Sequence, residues 1–200
     1  MHKLLLDIPT CLETERLSLR CYHAGDGPWF YKMSQVNHAH LARYEARNVL
    51  MTVKTQEDAE VVVRDLANAW TARNCFFLGA FDKQDGTFIA QIYVGPVNWD
   101  LPEFQLGYFV DEDHEGQGYV TEAVNAVLRF LFENLRAHRV RLECDDTNVR
   151  SLRVAERCGF VREGHLRENK KHADGTFSGT LHYGLLRSEF EAGRLDDVLP

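Results

Sequence analysis

The sequence lacks the features that mark a nucleic-acid binder, a membrane protein or a disulfide scaffold. It has no Lys/Arg run, and its net charge is −7, so a polyanion is not the expected partner. Asp7 interrupts Lys3-Leu4-Leu5-Leu6, leaving a run too short for a signal or a membrane span. Cys11, Cys21, Cys75, Cys144 and Cys158 form no C-x-x-C pair and no zinc-ligand spacing, so no metal is expected. They read as reduced, mostly buried thiols of a cytoplasmic protein. There is no internal repeat and no low-complexity linker, so residues 1–200 read as one domain with chain enough for a core.

What is present is organised around one stretch. Phe104, Leu106, Tyr108 and Val110 alternate with Gln105, Gly107 and Phe109, the period of a strand. A turn ending in Gly116-Gln117-Gly118 follows. Val120, Val124, Val127, Leu128, Leu131 and Leu135 then recur at helical spacing. A glycine turn feeding a helix presents unpaired N–H groups at the positive end of the helix dipole, which suits a phosphate. A tight corner has the same sequence, so the motif alone leaves both readings open.

Around it, Arg16–Tyr22 reads as a strand, broken at Gly25–Pro28, and Trp29–Asn37 as a helix. His38 and His40 fall in a polar connection, where metal ligation, substrate contact and plain surface are all open and surface is the expectation. Thr55 and Asp58 resemble a capping box opening an amphipathic helix over Gln56–Arg73. Cys75–Phe81 and Thr87–Val94 form a hairpin, with Pro96 and Pro102 bracketing an irregular link. Arg139–Cys144 is a strand reached through a helix, hence parallel to the Phe104 strand. Asn148 is an N-cap for a short helix ending at Cys158, with Gly159 beyond it. Phe160–Arg167 and Thr180–Arg187 make a last hairpin turning at Asp174-Gly175, and the tail from Ser188 is helical at first. The order predicts an α+β (mixed α/β) domain.

Four segments, in order, resemble the RimJ/RimL-type N-acetyltransferases of the GNAT superfamily. Leu12-Glu13-Thr14-Glu15-Arg16-Leu17-Ser18-Leu19-Arg20 resembles their Thr-Glu-Arg-Leu-x-Leu-Arg. Gln105-Leu106-Gly107-Tyr108 resembles Glu-Ile-Gly-Tyr. Gly116-Gln117-Gly118-Tyr119-Val120-Thr121-Glu122-Ala123 resembles the Gly-x-Gly-Tyr-Ala-Thr-Glu-Ala turn. Asn148-Val149-Arg150-Ser151 with Cys158-Gly159-Phe160 resembles Asn-x-x-Ser…Gly-Phe, continued by Glu163-Gly164 and Arg167. The resemblance spans about residues 12–183.

The resemblance implies a mixed, mostly antiparallel twisted sheet flanked by helices, and acetyl transfer from acetyl-CoA to a primary amine by direct attack. The acceptor is a protein N-terminus or a small molecule, and a homodimer is allowed. Pantetheine would lie where the strand bearing Phe109 and Val110 splays from its parallel neighbour. The pyrophosphate would sit on Gly116, Gln117, Gly118, Tyr119, Val120 and Thr121, with Asn148, Ser151 and Arg153 as further donor contacts. Arg150, Arg153, Arg157, Lys170 and Lys171 are candidates for the 3′-phosphate. Ser151 is the candidate acid for the leaving thiolate, with Tyr183 second, and Glu168 and Glu103 are the candidate bases. For each of these residues a plain cap, surface or core role stands beside the functional one.

Departures from the pattern are Val120 for Gly or Ala, Glu115 in the turn, Lys170 where relatives can carry Glu, and Gly179 for Asp. Negative charge at Asp111, Asp113 and Glu115 would weaken phosphate binding if it pointed inward. Two other functions stay open: a silent acyl-CoA-binding module, and an NAD-type oxidoreductase built on the strand–Gly-x-Gly–helix unit.

Overall fold

The computed structural model describes residues 2–44, 48–172 and 174–196. Eight strands form one sheet: β1 (Cys11–Glu13), β2 (Leu17–Cys21), β3 (Phe76–Asp82), β4 (Phe88–Asn98), β5 (Glu103–Val110), β6 (Arg139–Asp145), β7 (Val161–Lys171) and β8 (Phe177–Leu186). Their order is β1-β2-β3-β4-β5-β6-β8-β7. Every neighbouring pair is antiparallel except β5 and β6. The helices are α1 (Gly27–Tyr44), α2 (Gln56–Thr71), α3 (Tyr119–Arg129), α4 (Val149–Arg157) and α5 (Arg187–Asp196).

Strand alternation sends residues to two faces, and each face buries its own cluster. Leu17, Leu19, Leu78, Ile92, Leu106 and Leu142 pack with Val124, Val127 and Leu128 of α3 and Ala155 of α4. Tyr22 and Phe109 pack with Phe30, Met33 and Leu41 of α1 and Ala59 and Val63 of α2. The expected parallel pair, both hairpins, the Thr55/Asp58 capping box and the Asn148 cap are all present.

Several local expectations change. α1 begins at Gly27-Pro28, where a missing N–H costs nothing, and the amide of Phe30 bonds the Asp26 carbonyl at 2.8 Å. It then runs on to Tyr44, so His38 and His40 lie on a helix and not in a connection. The helix after Gly118 keeps α geometry only to Arg129 and continues as a π turn over Phe130–Asn134. The wider turn lets Phe130, Leu131 and Phe132 all bury, with Phe130 stacked on Trp70 at 5.9 Å. Pro96 lies inside β4 at a register shift, which is where a strand accommodates a residue without an N–H. Only Cys144 and Cys158 are buried; Cys11 is exposed, and Cys21 and Cys75 are half-buried.

Candidate active site

The parallel ladder between β5 and β6 ends early. Glu103–Leu106 pair with Arg139–Leu142, but β5 runs on to Val110 and β6 to Asp145 without pairing with each other. Above the gap, α3 starts at Gly118, which adopts φ +81° and carries no side-chain cap. The first i→i−4 bond of α3 joins the Glu122 amide to the Gly118 carbonyl at 3.1 Å. The amides of Tyr119, Val120 and Thr121 precede it and have no intrahelical partner. A cleft of about 780 Å³ joins the gap to this helix end. One wall is α4 from Asn148 to Arg157; the other is the end of α1, with His40, Leu41 and Tyr44.

Of the donor-binding candidates, Phe109, Val110, Gly116, Gly118, Tyr119, Val120, Thr121, Asn148, Ser151 and Arg153 all line this cleft. Gln117 does not: its carbonyl accepts from Arg16 Nη1 at 3.1 Å, and its side chain donates to the Asp113 carbonyl at 3.3 Å. Val120 packs against the main core while lining the cleft, so its extra bulk is taken up by packing. Arg150 and Arg157 are cleft residues; Lys170 lies outside, its Nζ 3.4 Å from Asp145 Oδ2.

Two carboxylates of the acidic turn, Glu115 and Asp111, are held by local partners. Glu115 pairs with Arg150 and lies 3.8 Å from His40 Nε2. Asp111 receives Asn37 Nδ2 at 2.9 Å on one oxygen, and its other oxygen lies 3.0 Å from His114 Nδ1. The Asn37 contact ties the Asp111 carboxylate to α1. An open main-chain gap beside uncapped amides fits a long thioester carrying a diphosphate.

Ser151 lines the cleft beside Tyr108. Its amide is capped by Asn148 Oδ1 at 3.2 Å. Its hydroxyl lies 3.0 Å from Tyr108 Oη and 3.2 Å from Cys144 Sγ. Tyr108 Oη also donates to the Ser151 carbonyl at 3.1 Å. Tyr108 is the cleft residue that sequence reasoning passed over as a site candidate, although it closes the Gln105–Tyr108 motif.

The remaining predicted residues lie elsewhere. Glu103 begins β5, about 20 Å along the strand from Val110, and accepts from Arg139 Nε at 3.1 Å. Tyr183 is buried opposite Leu142 in the core and does not line the cleft; burial, then nearby Glu156, pushes its phenol above the ordinary value. Glu168 lies in a separate surface depression on β7, at φ +51°. Leu166 pairs with Thr180 but Lys170 with Ser178, so β7 bulges outward and takes Glu168 with it.

Comparison with known proteins places this geometry. Residues 16–161 match the family described as acetyltransferase (GNAT) domain. The chain belongs to the GNAT acetyltransferase family. A "Probable N-acetyltransferase YjcK" of Bacillus subtilis is 42% identical over 97 residues, covering 48% of this chain and 54% of that protein, about half its length. Escherichia coli ribosomal protein uS5-alanine N-acetyltransferase is 25% identical over 169 residues, covering 78% of this chain and 81% of that protein. The crystal structure of ribosomal-protein-S5-alanine acetyltransferase from Vibrio fischeri superposes with TM-score 0.79 at 19% identity, covering 91% of this chain and 99% of that one. GNAT membership sets the reaction class, acetyl transfer from acetyl-CoA to an amine. The sheet agrees, since the strand–Gly-x-Gly–helix unit is inserted in an antiparallel meander and not in a doubly wound parallel sheet. In this GNAT domain the residues noted above at the cleft are the donor-binding candidates, and the Ser151–Tyr108 pair is the candidate acid.

Proposed function

We propose that this protein acetylates a protein N-terminal amine by direct attack within a complex of both substrates, with Ser151 as the general acid. The observation that carries this reading is the hydroxyl pair, Tyr108 Oη 3.0 Å from Ser151 Oγ, at the point where the β5–β6 ladder stops. The amine nitrogen bonds to the acetyl carbon as the carbon–sulfur bond breaks. Ser151 gives its proton to the departing sulfur and regains one from Tyr108 or solvent. Neither Glu103 nor Glu168 lines the cleft, so the proton lost by the amine passes to water or to one of the titratable groups that do line it, His40, Glu112, His114 and Glu115. Gly116, Gly118 and the amides of Tyr119–Thr121 hold the diphosphate, Phe109 and Val110 the pantetheine main-chain contacts, and Asn148 and Arg153 the α4 side of the donor.

A protein N-terminus is favoured by the relatives named as ribosomal-protein acetyltransferases, and the Vibrio cholerae spermidine N(1)-acetyltransferase makes a polyamine the second acceptor to test. The reading places the protein in the cytoplasm, where free thiols persist, and expects a homodimer. The test is acetyl-CoA-dependent thiol release against a panel of N-terminal peptides, polyamines and amino acids, with mass spectrometry of the product. Acetylation of a peptide α-amine supports the reading. Donor binding without transfer to any amine would leave a silent acyl-CoA-binding module instead.

A further inference from the structure

Resting on that reading, we infer that Thr14 and Arg16 act through Glu122 as positioning residues for the diphosphate-binding turn. The two come from the N-terminal segment, 106 residues from Glu122 in the case of Arg16. Thr14 Oγ1 donates to Glu122 Oε1 at 2.6 Å, and the Arg16 amide donates to the same oxygen at 2.9 Å. Arg16 Nε donates to Glu122 Oε2 at 2.6 Å. One carboxylate in the first turn of α3 therefore receives three donors from the loop between β1 and β2. The guanidinium also lies over the Tyr119 ring, 4.2 Å from its centroid.

The consequence for the turn follows from peptide geometry. Arg16 Nη1 holds the Gln117 carbonyl at 3.1 Å, and no cis peptide bond occurs among the described residues. In a trans peptide the carbonyl and the following N–H point in opposite directions. Fixing the Gln117 carbonyl toward Arg16 thus aims the Gly118 N–H away from Arg16, to the side where Gly118 lines the cleft and Arg16 and Gln117 do not. Without the clamp the Gln117–Gly118 peptide can rotate, because Gly118 at φ +81° has no Cβ to restrain it. The clamp also occupies Glu122, whose charge would otherwise lie beside the incoming diphosphate. Arg16 works from behind the turn and touches no reacting atom.

A staple that merely stabilised the fold would affect all donors alike; a clamp on the diphosphate turn acts only on donors that carry a diphosphate. The experiment compares wild type, Arg16→Ala, Arg16→Lys and Glu122→Gln with acetyl-CoA and with S-acetylpantetheine, which lacks the nucleotide. For Arg16→Ala the KM for acetyl-CoA should rise about tenfold, the scale of one charge-assisted hydrogen bond, with kcat nearly unchanged. Its kcat/KM with S-acetylpantetheine should match wild type. Arg16→Lys and Glu122→Gln, which preserve bulk, should fall between. Equal losses on both donors, or no loss on either, would overturn the positioning role. Wild type that transfers from neither donor and shows no CoA binding by calorimetry would instead overturn the acetyltransferase assignment on which this rests.

Discussion

Tyr108 Oη lies 3.0 Å from Ser151 Oγ, joining β5 to α4 across 43 residues of sequence. The contact ties β5 to the α4 wall where the sheet opens, and it gives Ser151 a hydroxyl partner. Ser151→Ala should lower kcat about a hundredfold, the low end of the yield of a positioned acid, with KM for acetyl-CoA within about twofold. Tyr108→Phe should cost about tenfold, because the serine hydroxyl remains. Initial-rate thiol release measures both. A change confined to KM would mean that the pair binds substrate and does not move a proton.

In the proposed reading Glu115 competes with the donor for Arg150, with which it pairs. The ion pair places a carboxylate in the phosphate turn and occupies a cation on α4. Glu115→Gln should tighten acetyl-CoA binding about threefold, in keeping with an exposed pair worth under about 1 kcal/mol. The gain should shrink in high salt. Calorimetric titration at two ionic strengths reads it, and weaker binding by the variant would show that Glu115 assists the site.

Gly118 and Gly107 should respond oppositely to alanine. At Gly118, φ is +81°, and an added Cβ would meet only Arg16 Nη2 at 3.6 Å, so the cost is conformational. That cost is about 1–2 kcal/mol of stability, accompanied by weaker donor binding. At Gly107 an added Cβ would lie 3.6 Å from Tyr93 Cδ1, ordinary contact in extended backbone. Gly107→Ala should hold its denaturation midpoint or raise it. Urea titrations of both variants decide the matter.

Acid should loosen the N-terminal clamp. Partial burial raises the Glu122 pKa, but hydrogen bonds from Thr14 and Arg16 outweigh it and hold the carboxyl below its ordinary 4.5. A carboxyl depressed on folding contributes its stability in full above the unfolded value and loses it as pH falls through the folded value. Melting temperatures should therefore drop more steeply below pH 4.5 in wild type than in Glu122→Gln. Parallel curves would mean that Glu122 titrates alike in the folded and unfolded chains.

The cysteines should differ in reactivity. Burial pushes the Cys158 thiol up to about 12, whereas Cys11 is exposed on β1. Iodoacetamide at mildly alkaline pH should label Cys11 first and Cys158 only after unfolding. Peptide mapping by mass spectrometry over time reads the order.

Local signals were legible in the sequence, and distant contacts were not. Thr55 with Asp58, and Asn148 with Gly159, are caps whose partners lie within a few residues, so spacing alone locates them. Ser151 and the Gly116–Thr121 turn followed from motif resemblance and line the cleft. Tyr108 had no local signal for its tie to Ser151, and Thr14 and Arg16 none for theirs to Glu122. Glu103 was chosen for its chemistry, although chain order puts it at the end of β5 opposite Val110, which feeds the turn. The π turn at Phe130 was hidden because its apolar period matches that of an α-helix over so few residues. His40 was read as a loop residue because the polar stretch from His38 weakens the helical pattern that α1 nevertheless completes.

The early end of the β5–β6 ladder leaves an interior strand with one side of its main chain unpaired from Gly107 to Val110. Amide protons on that side lack the protection of a neighbouring strand and should exchange with deuterium far faster than those facing β4. A single strand would thus show two exchange regimes, one per edge. Pantetheine, by supplying main-chain partners, would merge them, so the donor would act as a missing piece of the sheet as well as a substrate.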